Sequence, residues 1–116
     1  MKNEIIINNL KNILYQTGYH VILISDVQIK NIAGISEHFS QDQGLVKGLF
    51  LPDKFEIIIN RSLSKKEKVL TLIHELIHID KPKLKENSVE KATLILFSQL
   101  NPAELGFFEF AVSHAS

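Results

Sequence analysis

The sequence contains no cysteine. A disulfide scaffold, a thiolate zinc site and a thiol nucleophile are therefore excluded, and the absence suits a reducing compartment. Charge of one sign is lacking too: 13 Lys and Arg balance 13 Asp and Glu, for a formal net charge of zero. Nothing in that balance points to nucleic acid or an anionic membrane. The clusters Lys65, Lys66, Lys68 and Lys81, Lys83, Lys85 are short and read as solvated helix ends or loops. No apolar run approaches the roughly 20 residues that span a bilayer. Met1-Lys2-Asn3-Glu4 leads into only three consecutive isoleucines, too few for a signal-peptide core. A cytoplasmic protein is the expectation. Repeats, low-complexity tracts and linkers are lacking as well. The longest polar stretch, Ser36 to Gln43, is too short to separate domains, so residues 1–116 are expected to form one domain.

Apolar residues make up 45% of the 116 and charged residues 22%, an ordinary globular composition. Ile6, Leu10, Ile13 and Leu14 recur at helical spacing, which predicts a helix from Glu4 to Gln16 capped near Gly18. Tyr19 to Ser25 is apolar and β-branched, as in a strand buried on both faces. Asp26 to Phe39 fits a short helix or an irregular crossover. Val46 to Leu51 and Phe55 to Asn60 read as the arms of a hairpin, joined by Pro52-Asp53-Lys54 with its turn chemistry. Ser64-Lys65-Lys66-Glu67 is a capping box that opens a helix running to about Ile79 and stopping before Pro82. Glu86 to Leu100 reads as a further helix. Asn101-Pro102 starts a last one that carries Leu105, Phe107, Phe108 and Phe110. The order predicts an α+β fold, with a small sheet packed on a central helix.

His74-Glu75-Leu76-Ile77-His78 is a His-Glu-x-x-His motif. Residues four apart on a helix stack one turn apart on one face, so both imidazoles can reach one ion. Nitrogen donors suit a single zinc ion. Glu75 is placed to act as general base, taking a proton from a water and delivering it to a leaving amine. Val69, Leu70, Ile73, Leu76 and Ile77 form the apolar part of this helix, while Thr71, His74, Glu75 and His78 form a separate polar stripe.

A catalytic zinc usually has three protein ligands. Glu86 and Glu90 lie four apart on the next helix and share a face. Glu90 is the preferred third ligand, because it lies a full turn inside the helix beside Ala92 and Thr93. Glu86 is the alternative, with Glu90 then orienting a histidine.

These residues resemble the zincin metallopeptidases of the ImmA/IrrE type. Ile57-Ile58-Ile59-Asn60 followed by Thr71-Leu72-Ile73-His74-Glu75-Leu76-Ile77-His78 is similar to that family's strand ending in Asn and its active helix. Glu90 to Phe97 is similar to its third-ligand helix. The similarity covers about residues 44 to 97. Ile77 stands where the family usually has glycine, and the loop after His78 is short. The resemblance implies a minimal zincin-like domain, zinc on two His and one Glu, and hydrolysis of peptide bonds. The implied substrate is a protein or peptide, such as a phage or mobile-element repressor. It also implies that an edge strand beside the active helix pairs with extended substrate; either hairpin arm could serve.

Two readings compete with a zinc peptidase. One is a regulatory binding module that keeps the fold with a structural metal or none. The other is a phage or toxin–antitoxin accessory protein, with Phe107, Phe108 and Phe110 at its interface. Those aromatics read first as core. Tyr19 and His20 are minor candidates for catalysis, His38 reads as solvated, and His114 as a frayed end.

Overall fold

A computed structural model describes residues 2–33, 39–42 and 45–113, and these form an α+β fold. Helix α1 spans Lys2–Gln16, strand β1 His20–Ile24 and helix α2 Asp26–Ala33. Strands β2 (Phe39–Asp42), β3 (Leu45–Leu51) and β4 (Glu56–Asn60) follow, with a 3-10 turn at Pro52–Lys54 between the last two. Helices α3 (Lys65–Asp80), α4 (Glu86–Ser98) and α5 (Pro102–Ser113) complete the chain. Gly18 adopts a φ of 84° just beyond α1, where a residue with a Cβ would be strained.

The strands form one mixed sheet in the order β1-β4-β3-β2. β1 runs parallel to β4, whereas β3 is antiparallel to both β4 and β2. The Ile57-Ile58-Ile59 run is therefore central. Ile57 and Ile59 join the main core with α1, α3 and α5, and Ile58 packs with Ile29, Val46 and Leu49 beneath α2. A central strand covered on both faces needs apolar residues along its middle, and Ile57, Ile58 and Ile59 supply them between Glu56 and Asn60.

The structure corrects two expectations and adds one strand. β1 is an edge strand and only half-buried; the doubly buried strand is β4. Neither hairpin arm is an edge, because β3 is paired on both sides and β4 is central. The edges are β1 and β2. Strand β2 had no signal in the sequence: its Ser40-Gln41-Asp42 lacks the apolar alternation of a strand, and its pairing with β3 shifts register between Ser40 and Gln41. His38 and His114 lie outside the described residues.

Helix α3 is the hub. The Ser64 hydroxyl accepts a hydrogen bond from the Glu67 amide at 3.2 Å, the anticipated cap. The helix ends at Asp80, before Pro82. It packs against α1, α4, α5, β3 and β4. Val69, Leu72, Ile73 and Leu76 are buried within this contact. Burying each such side chain contributes about 1.5–3 kcal/mol. Helix α5 starts with a reciprocal cap, in which the Glu104 amide donates to Asn101 Oδ1 at 2.8 Å and the Asn101 amide to Glu104 Oε1 at 2.9 Å. Of its aromatics Phe108 is core, Phe107 is half-buried and Phe110 is exposed.

Asn60 fixes the passage from β4 to α3. Its buried side chain donates to Asp26 Oδ1 at 2.9 Å and to the Val46 carbonyl at 3.0 Å. Its Oδ1 accepts from the Ser62 amide at 3.0 Å and the Ser62 hydroxyl at 2.7 Å. The Asn60 bond is also the main cause that holds the Asp26 carboxyl below its ordinary pKa. One carboxamide thus ties α2, β3, β4 and the loop into α3. Asn60→Ala is expected to destabilise the protein by about 2–3 kcal/mol, since it removes the partner of the buried Val46 carbonyl together with the bonds to Asp26 and Ser62; urea unfolding monitored by circular dichroism measures this.

Candidate metal centre

The polar stripe of α3 faces inward. Thr71, His74 and Glu75 are all buried, Glu75 completely at 0% exposure. His78 lies one turn beyond His74, nearer the helix end and half-buried. The spacing of four thus does what a helix requires of it, and the two rings meet with centroids 4.8 Å apart. The ring of Phe50, from β3, lies 6.4 Å from that of His78, centroid to centroid.

The third group is Glu86, at the first position of α4. Its Oε1 lies 2.6 Å from His74 Nε2 and its Oε2 3.0 Å from His78 Nε2. The two Nε2 atoms are 3.2 Å apart. Donor atoms of His74, His78 and Glu86 all fall within 4.8 Å of one another, the only such group of metal-binding residue types among the described residues. Glu90, the preferred third ligand from the sequence, is not in this group. It lies one turn further along α4, close enough for its charge to favour protonation of His74. The five residues Lys81 to Lys85 reverse the chain around Pro82. His78 and Glu86 are equidistant from that proline along the chain, which brings the start of α4 to the level of His78. That equal spacing was the signal in the sequence for Glu86.

Hydrogen bonding alone serves this arrangement poorly. A carboxylate only accepts, so each Nε2 that touches Glu86 favourably must carry a proton. Two such N–H groups then oppose each other at 3.2 Å. A cation removes the conflict by taking the place of both protons. Donors about 2.0–2.1 Å from a tetrahedral zinc lie about 3.3–3.4 Å apart, close to the separation of the two nitrogens. Two imidazoles and a carboxylate are also a donor set that zinc accepts, so the residues present fit the ion.

Burial is the main influence on His74 and pushes its pKa below the ordinary imidazole value, outweighing the opposing pull of Glu86. The neutral ring, the form that binds metal, is thereby favoured. Glu75 adjoins His74, and on its other side it meets β3. A Cβ built on Gly48 would lie 3.8 Å from Glu75 Oε2 and 2.5 Å from Thr71 Cγ2. Sequence reasoning missed Gly48, for which a glycine inside a strand was the signal. Tyr19 packs in the main core, edge-on to Phe55 with ring centroids 5.2 Å apart, and desolvation raises its pKa. His20 is exposed on β1. No structural feature joins either residue to the metal-binding group.

The chain matches no protein-family model, no curated protein and no solved structure.

The depressed His74 pKa has a consequence for the metal-free protein. The unfolded chain binds this proton more readily than the folded one. Stability from His74 is therefore fully present above about pH 6.5, the unfolded value, and is lost as pH falls toward the lower folded value. Melting temperatures of the metal-free wild type should fall more steeply below pH 6.5 than those of His74→Gln, measured across the same buffers.

Proposed function

We propose that this protein is a zinc-dependent metallopeptidase. The observation that carries the reading is the convergence of His74, His78 and Glu86 beside a fully buried Glu75. Burying a carboxylate is costly and is most readily explained by a chemical duty. His74, His78 and Glu86 would hold one zinc ion. Zinc bound there would polarise a substrate carbonyl and make a water acidic near neutral pH. Glu75 takes the proton of the attacking water and passes it to the leaving amine, as its place next to His74 allows. Burial of Glu75 excludes bulk water from the carboxylate and keeps it in one position. The substrate is a protein or peptide. The resemblance to ImmA/IrrE-type enzymes supports the same class.

One observation favours a second reading. Glu90 lies on the face of α4 that carries Glu86 and acts electrostatically on His74. If it moved in as a fourth ligand, the metal would be closed off and structural, in a protein-binding module rather than an enzyme.

Four proteins separate these readings: wild type, Glu75→Gln, Glu86→Ala and Glu90→Ala. Wild type should bind one zinc and hydrolyse a denatured protein substrate. Glu75→Gln should keep the zinc and lose about 10²–10⁴-fold in rate. Glu86→Ala should weaken zinc binding at least about 100-fold, beyond the loss from an outer partner, whereas Glu90→Ala should stay within about tenfold. Equal losses of zinc in both alanine variants, with no hydrolysis by wild type, would support the structural metal.

A further inference from the structure

We propose that Gly48 is a positioning residue for Glu75: its missing side chain lets β3 settle on α3, and the strand backbone becomes the wall against which the Glu75 carboxylate is held. The proposal rests on the reading of Glu75 as the base.

Glycine inside a strand is destabilising relative to alanine, so it needs a reason. Conformation is not the reason, because the left-handed region is occupied only at Gly18 among the glycines described. Close approach is the reason. A Cβ at position 48 would meet Thr71 Cγ2 at 2.5 Å, a distance that real Cβ atoms do not tolerate, and the Ile58 carbonyl oxygen of β4 at 3.0 Å. Neither neighbour yields easily. Ile58 belongs to the central strand. Thr71 is β-branched and buried in the middle of a helix, where its side chain has few alternatives.

Thr71 and Glu75 are one helical turn apart on the face that meets β3. The methyl of Thr71 sets the spacing between strand and helix, and Glu75 Oε2 lies within ordinary contact of the space a Cβ would fill. A side chain at position 48 must move the strand away or press on this pair. Either change shifts the carboxylate relative to His74 and His78, which belong to the same helix but reach toward α4. Misplacing a reacting group by about 1 Å can cost about 100-fold in rate.

The experiment compares wild type, Gly48→Ala, Thr71→Ser and the double variant, each zinc-free for spectroscopy and zinc-loaded for hydrolysis. Thr71→Ser removes the obstructing methyl and keeps the hydroxyl, so the double variant moves one methyl across the contact. The first readout is the 13Cδ resonance of Glu75 at fixed pH, assigned by its loss in Glu75→Gln. It should move in Gly48→Ala and return toward the wild-type position in the double variant. The second readout is kcat, expected to fall about 100-fold in Gly48→Ala with zinc affinity retained, and to recover by about tenfold or more in the double variant. A Glu75 resonance unmoved by Gly48→Ala overturns the proposal, as does a loss of kcat that the double variant fails to relieve. Should Gly48→Ala not fold, Thr71→Ser alone decides: a moved resonance supports the contact and an unmoved one refutes it. If zinc-loaded wild type hydrolyses nothing, the peptidase reading fails, while the resonance still tests the positioning.

Discussion

Helix α3 must be buried on nearly every side, and yet it carries Thr71, His74 and Glu75 among its buried residues. An all-apolar helix would fill this place at less cost, because each polar group taken from water must find compensation. The rest of the fold is arranged around that demand. The sheet brings β3 down to Gly48, the only residue small enough to let it reach the stripe. The short Lys81–Lys85 connection returns α4 with Glu86 at its first turn. Helices α1 and α5 help to cover the apolar sides of α3, while Gly48 of β3 and Glu86 of α4 approach the polar stripe.

Two kinds of support hold the stripe in place. Packing fixes α3 along its length, through Val69, Leu72, Ile73 and Leu76. Hydrogen bonds fix its entry, through the Ser64 cap and the four bonds of Asn60. Glu86 is different, since its side chain is 52% exposed and stands at a helix start. The histidine pair is thus packed into the fold while its carboxylate partner stands largely in solvent. That division would suit the entry of a metal ion between the three side chains.

Much of this was legible in the sequence because it depends on local rules. The capping box at Ser64, the proline stop, the turn at Pro52-Asp53-Lys54 and the shared face of His74 and His78 all follow from chemistry within a few residues. What depended on tertiary geometry was not legible. Apolar content could not tell the edge strand β1 from the central strand β4, since His20–Ile24 is as apolar as Glu56–Asn60. The polar Ser40-Gln41-Asp42 gave no sign of β2. Glu86 and Glu90 share a helix face, and only the way α4 lies on α3 brings Glu86 to the imidazoles. Gly48 carries no chemical group at all, so its importance emerges only when Thr71 and Glu75 are seen against it.

His74, His78 and Glu86 together form the proposed metal centre. Zinc K-edge X-ray absorption of the protein loaded with one equivalent of zinc tests it most directly. The expected result is a first shell of nitrogen and oxygen donors that includes two imidazoles and a Glu86 carboxylate, the latter shown by its loss in Glu86→Ala, with one position left to solvent. A spectrum without imidazole scattering, or one unchanged by removing Glu86, would contradict it.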